Sequence, residues 1–212
     1  MLSIALRIIR QAVRDPWEFG VRLTAFLRGL YYIVYYRLVR HNVRIGFPFS
    51  AFAAVKIVGP GRVTIGKGCY AAKNVFKGWT ISTHSPDASV TIGDRCVMGG
   101  ITIRALQSVQ IGEKTMSANS LIQDYLWLDC ERVRTQTGAT ALPAAKPIEI
   151  GENVWLGAQC TVTCGSRIGK DSVLSAGAGC YDMQVDNYCL VIGSPAKKPL
   201  PIEKLLKLKG ER

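Results

Sequence analysis

The sequence predicts a mainly β protein, a solenoid of stacked coils with α-helices at its N-terminus and a short helix at its C-terminus. A helical period of apolar residues is confined to residues 1–44, and short β-rich segments ending in glycine follow from residue 57 onward. The 21 glycines indicate many turns or close backbone contacts. In the β-rich part, Ile-Gly followed by a charged residue occurs five times, starting at Ile65, Ile92, Ile111, Ile150 and Ile168.

Residues 1–44 are predicted to form two amphipathic helices. In the first, arginines lie at helical spacing between apolar residues. The second opens with Asp15 as N-cap and Pro16 at the first helical position, a common way for a helix to begin. The uncharged run at 29–36 is far shorter than the roughly 20 residues that cross a bilayer, so no membrane-spanning helix is expected.

The aromatic residues of the second helix leave two interpretations open. Tyr31, Tyr32, Tyr35 and Tyr36 lie close to arginines, which is typical of a helix lying on an anionic membrane surface. Alternatively, the rings pack onto the rest of the chain or onto a partner, and the arginines face water.

Composition excludes some partners and locations. The net charge of +12 is concentrated at the two ends, in residues 1–44 and 197–212, but no nucleic-acid-binding motif accompanies it. Nucleic acid is therefore not an expected partner. The seven cysteines form no zinc-binding pattern and follow no cleavable signal peptide. We expect reduced thiols, a cytoplasmic location and no metal site.

The repeat predicts how the β-rich part is built. Its copies are separated by 27, 19, 39 and 18 residues, which indicates a period near 18 with insertions. Three six-residue units form one three-sided coil, with an aliphatic side chain inward and a glycine at positive φ where the chain turns. Coils stack about 4.8 Å apart, so that backbone groups pair between coils. We expect the solenoid over residues 45–198, an excursion at about 125–146, and a basic helix or tail at 199–212.

Two segments resemble a known family. KPIEIGENVWLGAQCTVTCGSRIGKDSVLSAGAG and the closing VIGSPAKKP resemble the last coils of hexapeptide-repeat acyltransferases, whose fold is a left-handed parallel β-helix. RLVRHNVRIG and TISTHSPDASVTIG resemble the branch that decorates cell-surface polysaccharides. The resemblance implies a homotrimer that transfers an acyl group, acetyl being the expected one, from acyl-CoA to a sugar hydroxyl or amine. The acceptor would be a surface glycan or its lipid-linked precursor at the inner face of the cell membrane.

The resemblance also implies where the cofactor binds. In the resembling enzymes, acyl-CoA lies in a groove between two subunits, and small residues let its extended arm approach the backbone. Lysines in the closing phrase match the position of a cation near the nucleotide phosphate. The alternatives are that a tight corner requires the small residues and that the lysines belong to a solvated tail. The matching positions are Trp155, Gly157, Ala158, Ser175, Ala176, Gly177, Lys197 and Lys198.

The proton acceptor expected from the family is missing. The family phrase Asp-x-Asp-x-His corresponds here to a stretch with Asp124 at its first position and Leu128 at the histidine. His84 is one replacement for that histidine, because histidine titrates near neutral pH. The alternative is that His84 is only a polar turn residue beside Pro86. A carboxylate is another replacement, and the candidates are Asp124, Asp129 and Glu131. Cys130 is a candidate of a different kind, because a thiol can carry the acyl group.

A third explanation is that the chain has lost transfer activity. It would then serve as a scaffold or regulator of a glycan-assembly enzyme. A zinc-dependent carbonic anhydrase on the same fold is excluded, since that site needs several histidines and the chain has only His41 and His84.

Overall fold

The computed structural model describes residues 14–72, 78–126 and 144–203. They form one long helix, α1 (Pro16–Val39), followed by strands that wind repeatedly through three parallel ladders, here called faces A, B and C. The predicted solenoid is confirmed.

Face A is a ladder of seven strands in which each strand pairs in parallel with the equivalent strand of the next coil. Its strands are β1 (Val43–Ile45), β4 (Arg62–Ile65), β7 (Ser89–Ile92), β9 (Ser108–Ile111), β13 (Ile148–Ile150), β16 (Arg167–Ile168) and β19 (Gln184–Val185).

Faces B and C follow face A in each coil, and two long strands run through both. Face B contains β2 (Phe49–Ala51), β5 (Cys69–Ala72), the first parts of β8 (Val97–Ala105) and β10 (Met116–Gln123), β14 (Trp155–Leu156), β17 (Val173–Leu174) and β20 (Cys189–Val191). Face C contains β3 (Val55–Val58), β6 (Trp79–Thr83), the second parts of β8 and β10, β15 (Thr161–Thr163) and β18 (Gly179–Cys180).

Short antiparallel strands mark the departures from the solenoid. β11 (Tyr125–Leu126) pairs with β12 (Ala144–Ala145) where the chain leaves and rejoins the coils, within the predicted excursion. β21 (Leu200–Pro201) pairs with β20 at the C-terminal end. The predicted first helix and most of the predicted C-terminal helix lie outside the described residues.

The repeated isoleucines form the core. Ile65, Ile92, Ile111, Ile150 and Ile168 are aligned rung by rung along face A, and all are at most 3% exposed. Each buried side chain of this size stabilises the fold by about 1.5–3 kcal/mol. The Ile-Gly phrase therefore recurs because five coils each supply one isoleucine to the same column, which Val185 continues in the last coil.

The role expected for the glycine of this phrase is wrong. None of the glycines in the five phrases, Gly66, Gly93, Gly112, Gly151 and Gly169, has positive φ. A Cβ at Gly112 would lie 2.5 Å from the carbonyl carbon of Gly151, and one at Gly151 would lie 2.7 Å from the nitrogen of Lys170. Glycine is required because adjacent coils approach too closely for a side chain. The left-handed conformation falls two residues later, at Gly68, Arg95, Lys114, Asn153 and Asp171.

Helix α1 closes the N-terminal end of the solenoid. It begins as predicted, because the Asp15 carboxylate accepts a hydrogen bond from the Glu18 N–H at 2.9 Å. In the described chain β3 pairs only with β6, so its outer edge needs other partners. The Tyr36 hydroxyl accepts from Ile57 N–H at 2.9 Å, and the Tyr32 hydroxyl accepts from Val55 N–H at 3.1 Å. The helix thus acts as a cap for the stacked coils.

Candidate active site

A polar cluster lies at the corner where face C turns toward face A. The exposed ring of His84 places Nε2 3.2 Å from the Ser82 hydroxyl oxygen, and its edge faces the ring of Tyr125 at 5.4 Å between centroids. The backbone N–H of His84 donates to the backbone carbonyl of Ala105 in the next coil at 2.8 Å. Coil stacking thus brings His84 beside the first residue of the excursion, although 41 positions separate them in the sequence.

Two further polar side chains, absent from the sequence-based prediction, belong to this cluster. Ser82, Arg104 and Gln123 are rungs of one outward row on face C. The Arg104 guanidinium donates to the Gln123 side-chain oxygen at 3.3 Å and lies 5.7 Å from the centroid of the Tyr125 ring. The signal that could have identified them is the register itself, since polar residues recur at one outward position in three successive coils.

Asp124 borders the cluster but does not reach its surface. Its side chain is fully buried; one carboxylate oxygen accepts from Leu106 N–H and the other from Gln107 N–H, each at 2.7 Å. Burial raises the pKa of the carboxyl group, while these backbone donors act in the opposite direction. The arrangement suits a carboxylate that fixes the turn between β8 and β9. Its role as a proton acceptor remains a prediction.

The other replacements considered for the missing histidine lie outside the described residues. The residues concerned are Asp129, Cys130 and Glu131, which fall between the described ranges 78–126 and 144–203, as does Leu128. Among the residues that the structure describes, no group of three or more His, Cys, Asp or Glu could hold a metal ion.

The predicted cofactor residues lie along a second corner, between faces B and C. Ala158 and Ala176 are exposed at equivalent positions of consecutive coils, and the Gly177 N–H donates to the Ala158 carbonyl at 2.8 Å. The column continues to Gly193, whose carbonyl accepts from Gly179 N–H at 2.9 Å. We call this column of corner residues, 157–159, 175–177 and 192–194, the corner strip; all are small except Gln159 and Ile192.

The remaining predicted positions flank the corner strip. Trp155, 56% exposed, lies on β14 just before it. Lys197 donates its backbone N–H to the Ile192 carbonyl at 3.0 Å at the end of the strip, and both Lys197 and Lys198 are exposed. Seven of the eight positions thus lie on or beside one edge of the last coils, and Lys198 follows Lys197 directly.

The two glycines of the corner strip have structural explanations of their own. A Cβ at Gly157 would lie 2.6 Å from the Leu174 carbonyl oxygen, so coil stacking requires glycine there. Gly177 has φ of +71° with no atom within 4 Å of a built Cβ, so its backbone conformation favours glycine and the space outside it is open. Both glycines are therefore explained by the fold alone, without a ligand.

The two corners lie on opposite borders of face C. The corner strip precedes this face and the His84 cluster follows it, so one chain does not bring them together. The strip also belongs to coils closer to the C-terminus than the coil that carries His84.

The outward surface of face B is apolar. Its registered row has exposed fractions of 46% at Tyr70, 46% at Met116 and 56% at Trp155. The equivalent row on face A is polar or charged, including Gln110, Glu149 and Arg167. We call the face B row the apolar row; its members are Tyr70, Val97, Met116, Trp155, Val173 and Leu190.

Comparisons with known proteins agree with this architecture. A family model described as hexapeptide repeat of succinyl-transferase matches residues 147–178. AntD, an N-acyltransferase from Bacillus cereus solved with dTDP and 3-hydroxybutyryl-CoA, has a TM-score of 0.59 and 15% identity over 79% of this chain and 87% of its own. An AntD variant solved with dTDP-4-amino-4,6-dideoxyglucose and coenzyme A has a TM-score of 0.62 and 14% identity, covering 84% and 93%.

A further solved structure is similar in fold. The polysialic acid O-acetyltransferase OatWY has a TM-score of 0.56 and 22% identity over 75% of this chain and 73% of its own. A comparison with curated protein sequences gives no match. At these identities the structural likenesses establish the fold, and the family match establishes hexapeptide repeats in the C-terminal coils.

Proposed function

We propose that the protein transfers an acyl group, acetyl being the expected one, from acyl-CoA to a hydroxyl or amine of a sugar. The observation that carries this proposal is that seven of the eight positions expected to contact acyl-CoA lie on or beside the corner strip. The proteins of similar fold support it, because their descriptions name acyl transfer, coenzyme A and sugar ligands.

The corner strip supplies the surface for the cofactor. Exposed Ala158 and Ala176 leave room for an extended pantetheine arm to approach the backbone of successive coils. Lys197, at the end of the strip, and Lys198 would pair with the phosphates of the nucleotide as point charges. Trp155 would pack its exposed ring along the arm.

The His84 cluster supplies the acceptor side. The ring of His84 takes the proton from the sugar hydroxyl or amine while the oxygen or nitrogen of that group attacks the thioester carbonyl. The carbon–sulfur bond then breaks, and the CoA thiolate leaves and takes up a proton. Arg104 and Gln123, on the same outward row, would hydrogen-bond the sugar and hold it against Nε2.

A homotrimer would complete the site. Because the corner strip and the His84 cluster lie on opposite borders of face C, the thioester of one subunit must meet the histidine of another. Trp155 belongs to the apolar row and lies directly before the corner strip. A neighbouring subunit that packs on the apolar row is therefore placed beside the corner strip. We place the enzyme at the inner face of the cell membrane, with a surface glycan or its lipid-linked precursor as acceptor.

A second candidate is a catalytically silent β-helix protein that holds or regulates a membrane-associated glycan-assembly enzyme. The observation that favours it is Leu128 at the position of the family histidine. A general base contributes about 10²–10⁴-fold, so its loss would leave little transfer unless another group replaces it.

Calorimetric titration of the full chain with acetyl-CoA and CoA tests the cofactor step. We expect binding, and Ala176→Trp should abolish it by filling the corner strip. Ala54→Trp, at an exposed alanine of the first coil, is the matched control and should bind normally. Absence of binding by the wild type at millimolar cofactor would overturn the proposal. Binding without acyl transfer to a panel of amino and hydroxy sugars would favour the silent candidate.

A further inference from the structure

The side of helix α1 that faces away from the solenoid is apolar. Ala25, Gly29 and Tyr36 are buried against the first coil. The opposite side exposes large side chains, with exposed fractions of 55% for Leu27 and 72% for Leu38. We call this surface the outer stripe; its members are Leu23, Leu27, Leu30, Tyr31, Val34 and Leu38, each more than 40% exposed.

The outer stripe contains no charged residue. At 3.6 residues per turn its members occupy an arc of about 100° on the side opposite the buried residues. The charged residues of the helix lie outside this arc: Arg28 and Arg37 flank it on either side, and Glu18 and Arg22 lie further toward the solenoid. An ordinary surface helix has the reverse arrangement, with its charges pointing to solvent.

Arginine and aromatic side chains border the stripe. Arg28 and Arg37 are both exposed, although the Arg28 guanidinium also donates to the Phe52 carbonyl at 3.4 Å. Trp17 is 82% exposed and Tyr35 is 39% exposed on the Arg28 side. Rings of this kind favour the headgroup layer of a bilayer, and guanidinium groups beside them attract anionic lipid.

We propose that the outer stripe docks α1 flat on an anionic membrane, with its apolar side chains at the level of the upper acyl chains and its arginines among the headgroups. No helix in the described part of the chain is long and apolar enough to cross a membrane. An uncharged stripe with a cationic border instead has the pattern of a helix that lies in the interface. This specifies the surface behind the membrane location proposed above and does not depend on acyl transfer.

A second copy of the chain fits the outer stripe less well. Two stripes packed together would bring the arginine borders of both helices side by side, and like charges at such a border repel. An anionic surface satisfies the apolar stripe and the arginines at once, so the charge arrangement favours lipid.

Flotation of the full chain with lipid vesicles tests the proposal. We expect flotation with phosphatidylcholine vesicles that contain phosphatidylglycerol, and at least a tenfold smaller bound fraction with phosphatidylcholine alone. The double variant Leu27→Glu/Val34→Glu should lose flotation. The control variant Gln110→Glu/Gln184→Glu adds the same charge to exposed positions of face A and should float normally.

Three results would overturn the proposal. One is failure of the wild type to float with anionic vesicles, and a second is normal flotation of Leu27→Glu/Val34→Glu. The third is a smaller oligomer for that variant by light scattering, which would assign the stripe to a second copy. Because its corner strip is unchanged, the variant should bind CoA normally, so loss of flotation with normal CoA affinity separates this inference from the proposed function.

Discussion

Asp124 and His84 lie close to one corner of the coil, yet their surroundings suit different roles. Asp124 has no exposed surface, and both of its carboxylate oxygens accept backbone N–H groups. The ring of His84 is exposed and hydrogen-bonds to Ser82, so a sugar can approach it. At the residue scale, the buried carboxylate fits a structural role and the exposed imidazole fits a chemical one.

Replacement of Asp124 by alanine is expected to destabilise the fold. Two buried N–H groups would lose a charged acceptor, which costs about 3–5 kcal/mol in total. Urea denaturation of Asp124→Ala should show this loss. Asp87→Ala is the control, because Asp87 is exposed and its φ is not positive, and it should cost less than about 1 kcal/mol. An Asp124→Ala protein of normal stability that has lost only transfer would instead make Asp124 catalytic.

Replacement of His84 by glutamine is expected to lower kcat for acyl transfer by about 10²–10⁴-fold, because the proton acceptor is removed. The affinity for CoA should not change, since the corner strip lies on the other border of face C. His41→Gln removes the only other histidine and should leave kcat unchanged. Steady-state kinetics of both variants, together with calorimetry, make the comparison. Normal turnover by His84→Gln would assign the proton acceptor to another group.

The sequence predicts the inward residues better than the outward ones. Alignment on Ile-Gly predicts the isoleucine column, because one aliphatic side chain per coil must fill the centre. The neighbourhood of His84 and Tyr125 could not be predicted in the same way. It depends on how many coils intervene and on where the excursion begins, and insertions of unequal length obscure both. The glycine at each corner was expected for its φ, whereas the short distance between coils is the actual requirement.

Helix α1 shows what the sequence can and cannot say about an element. Asp15 and Pro16 predict its start correctly, because capping depends only on local residues. Which side packs on the solenoid could not be predicted, since both sides are apolar or aromatic. Tyr32 and Tyr36 bind the first coil, and Tyr31 and Tyr35 are exposed. The packing interpretation is therefore confirmed for Tyr32 and Tyr36, and the membrane interpretation stays a prediction for Tyr31 and Tyr35.

Two glycines of α1 should respond in opposite ways to the same substitution. A Cβ at Gly29 would lie 1.8 Å from the Phe49 carbonyl oxygen, so Gly29→Ala must push the helix off the first coil. Gly20 has nothing within 4 Å of a built Cβ. We expect Gly29→Ala to lower the free energy of unfolding by about 1–3 kcal/mol or more through overpacking. Gly20→Ala should raise it by about 0.5–1 kcal/mol through helix propensity.

Thermal and urea denaturation measure both changes. The pair controls for the substitution itself, because each variant adds one methyl group to the same helix. Equal effects at the two positions would contradict the close contact between α1 and β2. Both variants should keep vesicle flotation, because neither removes an apolar side chain of the outer stripe.

At the scale of the whole molecule, the three faces differ in what they present outward. Face A carries polar and charged rows, face C carries the row of Ser82, Arg104 and Gln123, and face B carries the apolar row. The sequence implies a trimer only through resemblance to a family, whereas the register of the coils shows which surface can bury apolar area. Alternation along one strand does not reveal this row, because it becomes continuous only when the coils are aligned.

Met116→Arg is expected to break the proposed homotrimer. It places a charge at the centre of the apolar row, where association would bury it without a partner, and such burial is strongly unfavourable. Light scattering of the wild type should give three times the chain mass of 23.2 kDa, and the variant should give one. Gln110→Arg places the same charge on face A and should remain trimeric. Since the proposed site takes the corner strip and His84 from different subunits, Met116→Arg should also lose acyl transfer, and a trimeric, active variant would show that the subunits meet elsewhere.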